Sequence, residues 1–90
     1  MFWIETPSNP LVRITDIAEG AAAGKRAGIA SVVDNTFATP FNQRPLELGA
    51  DIVVHSATKY LSGHSDVLAG CMVCGEDLVE AIWAKRLLLG

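Results

Sequence analysis

Ninety residues make at most one domain, and a composition that is half apolar and 19% charged describes a chain with a packed interior rather than a disordered tail. The net charge of -3, with seven Lys and Arg scattered in clusters no longer than two, leaves no basic footprint for nucleic acid. No apolar run approaches the roughly 18 residues needed to span a bilayer, and the N-terminus lacks the basic-then-apolar pattern of a secretory leader, so a soluble cytoplasmic protein is expected.

In chain order, the first predicted strand is "FWIE" at residues 2–5. It runs into "TPSNP", where two prolines and Asn9 forbid regular structure. Ile14, Ile17, Ala18, Ala21 and Ala22 then recur at helical spacing and predict a helix to about Ala27, capped by Thr15 or Asp16 and stopped by Gly28. Gly20 and Gly24 inside it each cost about 1 kcal/mol relative to alanine, so this helix is expected to be weak, with little to pack. "IASVVD" at 29–34 is the second strand. The connection "NTFATPFNQRPLELGA" is irregular apart from a short helical turn around Pro45 to Leu48, stopped by Gly49. "DIVVH" at 51–55 and "LAGCMVC" at 68–74 are the third and fourth strands. A last helix runs from Glu76 to about Leu88, with Glu76 and Asp77 at its positive end and Lys85 and Arg86 near its negative end.

The resulting order, β-α-β-α-β-β-α, is that of an α/β protein. The near-continuous apolar strands suggest a mostly parallel sheet covered on both faces by helices, and the first two connections are long enough for crossovers. Cys71 and Cys74 form a C-x-x-C, but in a buried strand residues three apart point to opposite faces, and a zinc site needs two further ligands. Core packing is therefore the expected role of both, with no metal site. Three parallel strands finish at one edge, and each is followed by polar residues that a sheet core would not hold. Ligands of open α/β sheets bind outside the carboxyl ends of the strands, so Asn9, Asp34, Ser56, Thr58 and Lys59 are expected to converge on one pocket. Asn9 to Asp34 and Asp34 to Lys59 are each 25 residues apart.

An amine, a carboxylate, two hydroxyls and an asparagine are what pyridoxal 5'-phosphate requires: Lys59 to hold its aldehyde as a Schiff base, Asp34 to keep its pyridine nitrogen protonated, Ser56 and Thr58 to donate to its phosphate. Taken singly, each has an ordinary reading: Asp34 in a turn, Ser56 as a cap, Lys59 on the surface. Together at this spacing they favour the cofactor. "SATK" also fits S-x-x-K, the serine nucleophile and lysine of penicillin-binding proteins and class A β-lactamases, but S-D-N and K-T-G do not occur and Asp34 would have no task.

"ETPSNP", "VVDNTFATP" and "RPLELGADIVVHSATKYLSGHSDVLAG" resemble the Cys/Met-metabolism family of pyridoxal-phosphate-dependent enzymes, the cystathionine γ-synthase, cystathionine lyase and methionine γ-lyase group. The resemblance runs through nearly the whole chain. It implies a fragment of a fold-type-I, aminotransferase-like large domain. By motif position it makes Lys59 the Schiff-base lysine, Asp34 the partner of the pyridine nitrogen, Ser56 and Thr58 phosphate ligands, and Asn9 the asparagine near the cofactor's 3-hydroxyl and the substrate carboxylate. His64 and Asp66 belong to the same lysine segment, with a structural role expected. It further implies transsulfuration chemistry on a small amino-acid substrate, by β- or γ-elimination or replacement, in a homo-oligomer of the tetramer-of-dimers type. The family's ring-stacking tyrosine, its trans-interface tyrosine and arginine, and its carboxylate-clamping arginine have no counterparts in these 90 residues. The expectation is thus a partial domain, inactive alone, that carries the cofactor-attachment half of a site. The alternative is a non-catalytic remnant that folds only with a partner.

Overall fold

The computed structural model describes residues 1–89. In order they form β1 (Phe2–Glu5), α1 (Ile17–Ala27), β2 (Ser31–Asp34), α2 (Thr39–Asn42), a 3-10 turn over Pro45–Leu48, β3 (Ile52–Ser56), a second 3-10 turn over Tyr60–Ser62, β4 (Gly70–Cys74) and α3 (Glu76–Leu89). The strands make one sheet in chain order, with β1, β2 and β3 parallel and β4 antiparallel to β3. The α/β architecture with a mostly parallel sheet is as the strand pattern implies. Only the single turn of α2 and the Tyr60–Ser62 turn lack a signal, because segments this short show no periodicity.

Helix α1 begins at Ile17, directly after Asp16, one of the two expected caps: its Oδ1 accepts the Glu19 N–H at 2.9 Å. Ile14 therefore lies outside the helix and is exposed. Gly28, at φ 67°, ends it in the left-handed conformation. The buried face is Ile17, Ala21 and Gly24, at the i, i+4, i+7 spacing of a helix laid on a sheet. The glycines that weaken this helix as an isolated segment are what lets it approach. A Cβ on Gly20 would lie 2.7 Å from Ile4 Cδ1, and one on Gly24 would lie 3.0 Å from the Ile29 carbonyl oxygen. The expectation of little to pack is thus corrected: α1 seats against β1 through a small-residue face. Ile4, Ile17, Val33 and Ala50 form the core between helix and sheet.

The starts of β2 and β3 are tied by a carboxylate. Asp51 Oδ2 accepts both the backbone N–H and the hydroxyl of buried Ser31, each at 2.8 Å, and the Asp51 N–H donates back to Ser31 Oγ at 3.2 Å. The Ser31 backbone hydrogen bond, then its hydroxyl, and more weakly the Lys25 ammonium, hold the Asp51 carboxyl below its ordinary 3.8 against a smaller opposing effect of burial.

Cover on both faces is realised only at the centre of the sheet, where Ser31, Val32 and Val33 are all buried. At one edge Trp3 of β1 is half exposed, and at the other β4 buries none of its residues. The expected core role of the cysteines is accordingly wrong: Cys71 is an exposed free thiol and Cys74 a half-buried one. The reason is topological. β4 pairs on one side only, and α3, which follows it, buries no side chain of its own. Among the described residues no three His, Cys, Asp or Glu side chains gather as metal ligands, and no helix is long and apolar enough to cross a membrane.

Candidate cofactor site

Parallel pairing brings the carboxyl ends of β1, β2 and β3 to one edge of the sheet. Glu5 lies opposite Asp34, and Asp34 opposite Val54, so Ser56 falls two residues beyond the register. Side chains alternate across a strand, which sets Glu5, Asp34 and Ser56 on one face. Beside them opens a cavity of about 640 Å³ whose wall includes Asn9, Asp34, Ser56, Thr58 and Lys59. All five expected residues are brought together.

Their hydrogen bonds differ in what they leave available. Asp34 is half-buried; its Oδ1 accepts the Thr36 N–H at 3.0 Å in an Asx turn, and Oδ2 has no partner among the described residues. The Ser56 N–H donates to Thr36 Oγ1 at 2.8 Å, and the Ser56 hydroxyl is unengaged among the described residues. Lys59 is exposed, and its backbone N–H donates to the Ser56 carbonyl at 3.1 Å. Its Nζ has no ion-pair partner among the described residues. Ser62 Oγ donates to the carbonyls of Thr58 and Lys59, which curls the lysine loop back on itself. Asn9 sits at the rim, its N–H 3.3 Å from Glu5 Oε1.

Thr58 is the exception. Its hydroxyl donates to the Ala69 carbonyl at 3.2 Å and accepts the Ala69 N–H at 3.0 Å, so it is committed to stapling the lysine loop to the approach of β4. A phosphate drawing on that hydroxyl would have to displace a main-chain partner. The S-x-x-K alternative also loses ground here, since Ser56 ends a strand instead of opening a buried helix.

Several supports carry no signal that sequence reasoning used. Asn35, fully buried, donates through Nδ2 to the Gln43 carbonyl at 2.9 Å, while Gln43 Nε2 donates to Asn35 Oδ1 at 2.8 Å and to the Thr6 carbonyl at 3.1 Å. Thr6 Oγ1 in turn accepts the Thr15 N–H at 3.0 Å. These bonds lock the ends of β1 and β2 together with the loop after α2. "DNT" reads locally as a turn, and nothing local links Gln43 to a residue 37 positions away. Glu5, Thr36, Phe37, Tyr60 and Ser65 also line the cavity, with the Phe37 and Tyr60 rings 6.3 Å apart. His64 and Asp66 are exposed and outside its wall.

The cavity volume falls in the range of small-molecule sites. Its donor set fits pyridoxal phosphate at one end: an unpaired amine, a carboxylate oxygen free for a ring nitrogen, and an unengaged hydroxyl. At the phosphate end the fit is partial. The wall carries the carboxylates of Glu5 and Asp34 against the single ammonium of Lys59, and no arginine lines it, so a dianion finds hydroxyl and amide donors but little countercharge.

The profile of one protein family, described as Cys/Met metabolism PLP-dependent enzyme, matches residues 1–88. A cystathionine beta-lyase from Coxiella burnetii is 58% identical over 87 residues, which cover 97% of this chain and 22% of that protein. A cystathionine gamma-lyase from Bacillus subtilis is 62% identical over 81 residues, covering 84% of this chain and 21% of the relative. Among solved structures, a cystathionine gamma synthase from Xanthomonas oryzae pv. oryzae, in complex with aminoacrylate and cysteine, superposes with a TM-score of 0.88 at 51% identity, over 94% of this chain and 23% of that one. The chain thus spans between a fifth and a quarter of the length of these proteins.

Proposed function

The chain belongs to the family of Cys/Met metabolism PLP-dependent enzymes, and on that premise we propose that it is part of the large domain of a transsulfuration enzyme of the cystathionine lyase or synthase type, carrying the cofactor-attachment half of the site. The observation that carries this reading is a cavity at the carboxyl ends of three parallel strands, lined by Asn9, Asp34, Ser56, Thr58 and Lys59 together. When bound, pyridoxal 5'-phosphate supplies an electron sink for negative charge at the α-carbon of an amino acid.

The protein's own residues divide the remaining work. Lys59 would be the amine that holds the cofactor, and its Nζ would be the base placed to take the α-proton of the substrate. Asp34 would hold a proton on the ring nitrogen through its free Oδ2. Ser56 would donate its hydroxyl to the phosphate, and Thr58 would join it only by exchanging its bonds to Ala69. Asn9 stands at the rim, where the 3-hydroxyl and the substrate carboxylate would lie. The shortage of cationic side chains in the wall supports the view that these residues hold the amine end, and that countercharge for the phosphate comes from other parts of an intact, homo-oligomeric enzyme in the cytoplasm. The 90-residue chain alone is then not expected to turn over a sulfur amino acid.

Borohydride reduction of the chain mixed with pyridoxal phosphate, followed by peptide mass mapping, tests the site. Reductive attachment at Lys59, lost in Lys59→Ala, is expected. Attachment spread over Lys25, Lys59 and Lys85 alike would refute it. A second reading, a non-catalytic chain that completes its fold on a partner, is favoured by α3, which buries no side chain while Trp83 and Leu87 stand exposed. Hydrogen exchange separates the two, since strands unprotected in the isolated chain support only the second.

A further inference from the structure

We infer that Thr36 is a positioning residue that fixes the spacing between the carboxylate and the hydroxyl of the cofactor site. The inference deepens the proposed site and rests on it. The ladder between β2 and β3 ends when Asn35 N–H donates to the Val54 carbonyl at 2.9 Å, after which β2 turns away. The next donor on β3 facing that side is the Ser56 N–H, and no β2 backbone remains to receive it. Thr36 supplies the missing rung with its side chain: Oγ1 accepts the Ser56 N–H at 2.8 Å. The backbone N–H of the same residue holds Asp34 Oδ1 at 3.0 Å.

One residue therefore grips both ends of the site. The connection runs from the Asp34 carboxylate to the Thr36 amide, through the Thr36 side chain, to the Ser56 amide. Oγ1 engages the Ser56 amide, and the bond does not involve the Ser56 hydroxyl. Asp34 and Ser56 are the groups placed at the ring nitrogen and the phosphate, so their separation has to match a rigid cofactor. Holding both through one short, β-branched side chain with few rotamers achieves this without occupying either ligating atom. Thr36 itself forms part of the cavity wall, beside the groups it spaces.

The test uses the full 90-residue chain with Thr36→Val, Thr36→Ala and Thr36→Ser. Two readouts are followed: hydrogen exchange of the Ser56 amide without cofactor, and the pyridoxal phosphate concentration giving half-maximal borohydride trapping at Lys59. Valine and alanine, which remove the acceptor, are expected to speed exchange at Ser56 and to raise that concentration about tenfold, with strand amides elsewhere still protected. Serine, which keeps the acceptor, is expected to restore both. A folded valine or alanine variant that traps cofactor like the parent overturns the inference while leaving the site intact, and so does failure of serine to restore trapping. If the parent does not trap at Lys59, the site reading falls and this inference falls with it. If Thr36→Val does not fold, the alanine and serine pair decides.

Discussion

Gly20→Ala sets two effects of similar size against each other. In an exposed helix the change stabilises by about 1 kcal/mol, since alanine is the better helix former and orders less chain on folding. Here the new methyl would sit 2.7 Å from Ile4 Cδ1. Carbon atoms rest about 3.5–4.0 Å apart, so a gap of about 1 Å must open between α1 and β1. Phe2, 3.3 Å from the same methyl and 38% exposed, has room to move aside. Ile4 is only 4% exposed and packed with Ile17 and Val33, so it cannot. Overpacking of this kind costs about 1–3 kcal/mol, which cancels or exceeds the propensity gain and gives a net loss of about 0–2 kcal/mol. Urea unfolding followed by far-UV circular dichroism measures it, with Ile4→Val as the second arm of a double-mutant cycle. Ile4→Val alone should cost about 0.5–1.5 kcal/mol, and distinctly less in the Gly20→Ala background, where removing Cδ1 relieves the clash. Stabilisation by the full propensity gain, or an Ile4→Val cost equal in both backgrounds, would refute the close-packing account.

The remaining predictions concern the two ends of the sheet. Because Asp51 titrates lower folded than unfolded, the unfolded chain binds more protons on acidification; the contribution of Asp51 to stability is present above its ordinary 3.8 and lost as pH falls through its lower folded value. The urea midpoint should therefore drop as pH falls below 3.8, and Asp51→Asn should flatten this acid limb; an unchanged limb would remove Asp51 as its source. Thr58→Val deletes both hydroxyl bonds to Ala69, at a cost of about 1–2 kcal/mol. It should also speed hydrogen exchange at the Ala69 amide and slow trapping at Lys59, whereas unchanged trapping would show that the staple does not position the lysine.

Much of this architecture is legible in the residues themselves. Apolar runs of strand length bounded by Pro, Gly and polar clusters locate all four strands to within about two residues, and crossover-length connections imply the parallel edge at which Asn9, Asp34, Ser56, Thr58 and Lys59 meet. These are local or nearly local properties, which is why a sequence specifies them. What an isolated glycine, cysteine or threonine does is not local. Gly20 looks like a flaw in α1 until Ile4 lies against it, and Cys71 and Cys74 look like core until β4 proves to be an edge strand. Likewise "DNT" reads as a turn until Ser56 arrives from 20 residues away to bond Thr36. The sequence by itself determined the elements and the set of chemical groups at their ends. The tertiary structure alone decided which of those groups stay free for a ligand, because a hydrogen bond saturates its donor and acceptor, and the Ala69 main chain that saturates the Thr58 hydroxyl comes from 11 residues further along the chain.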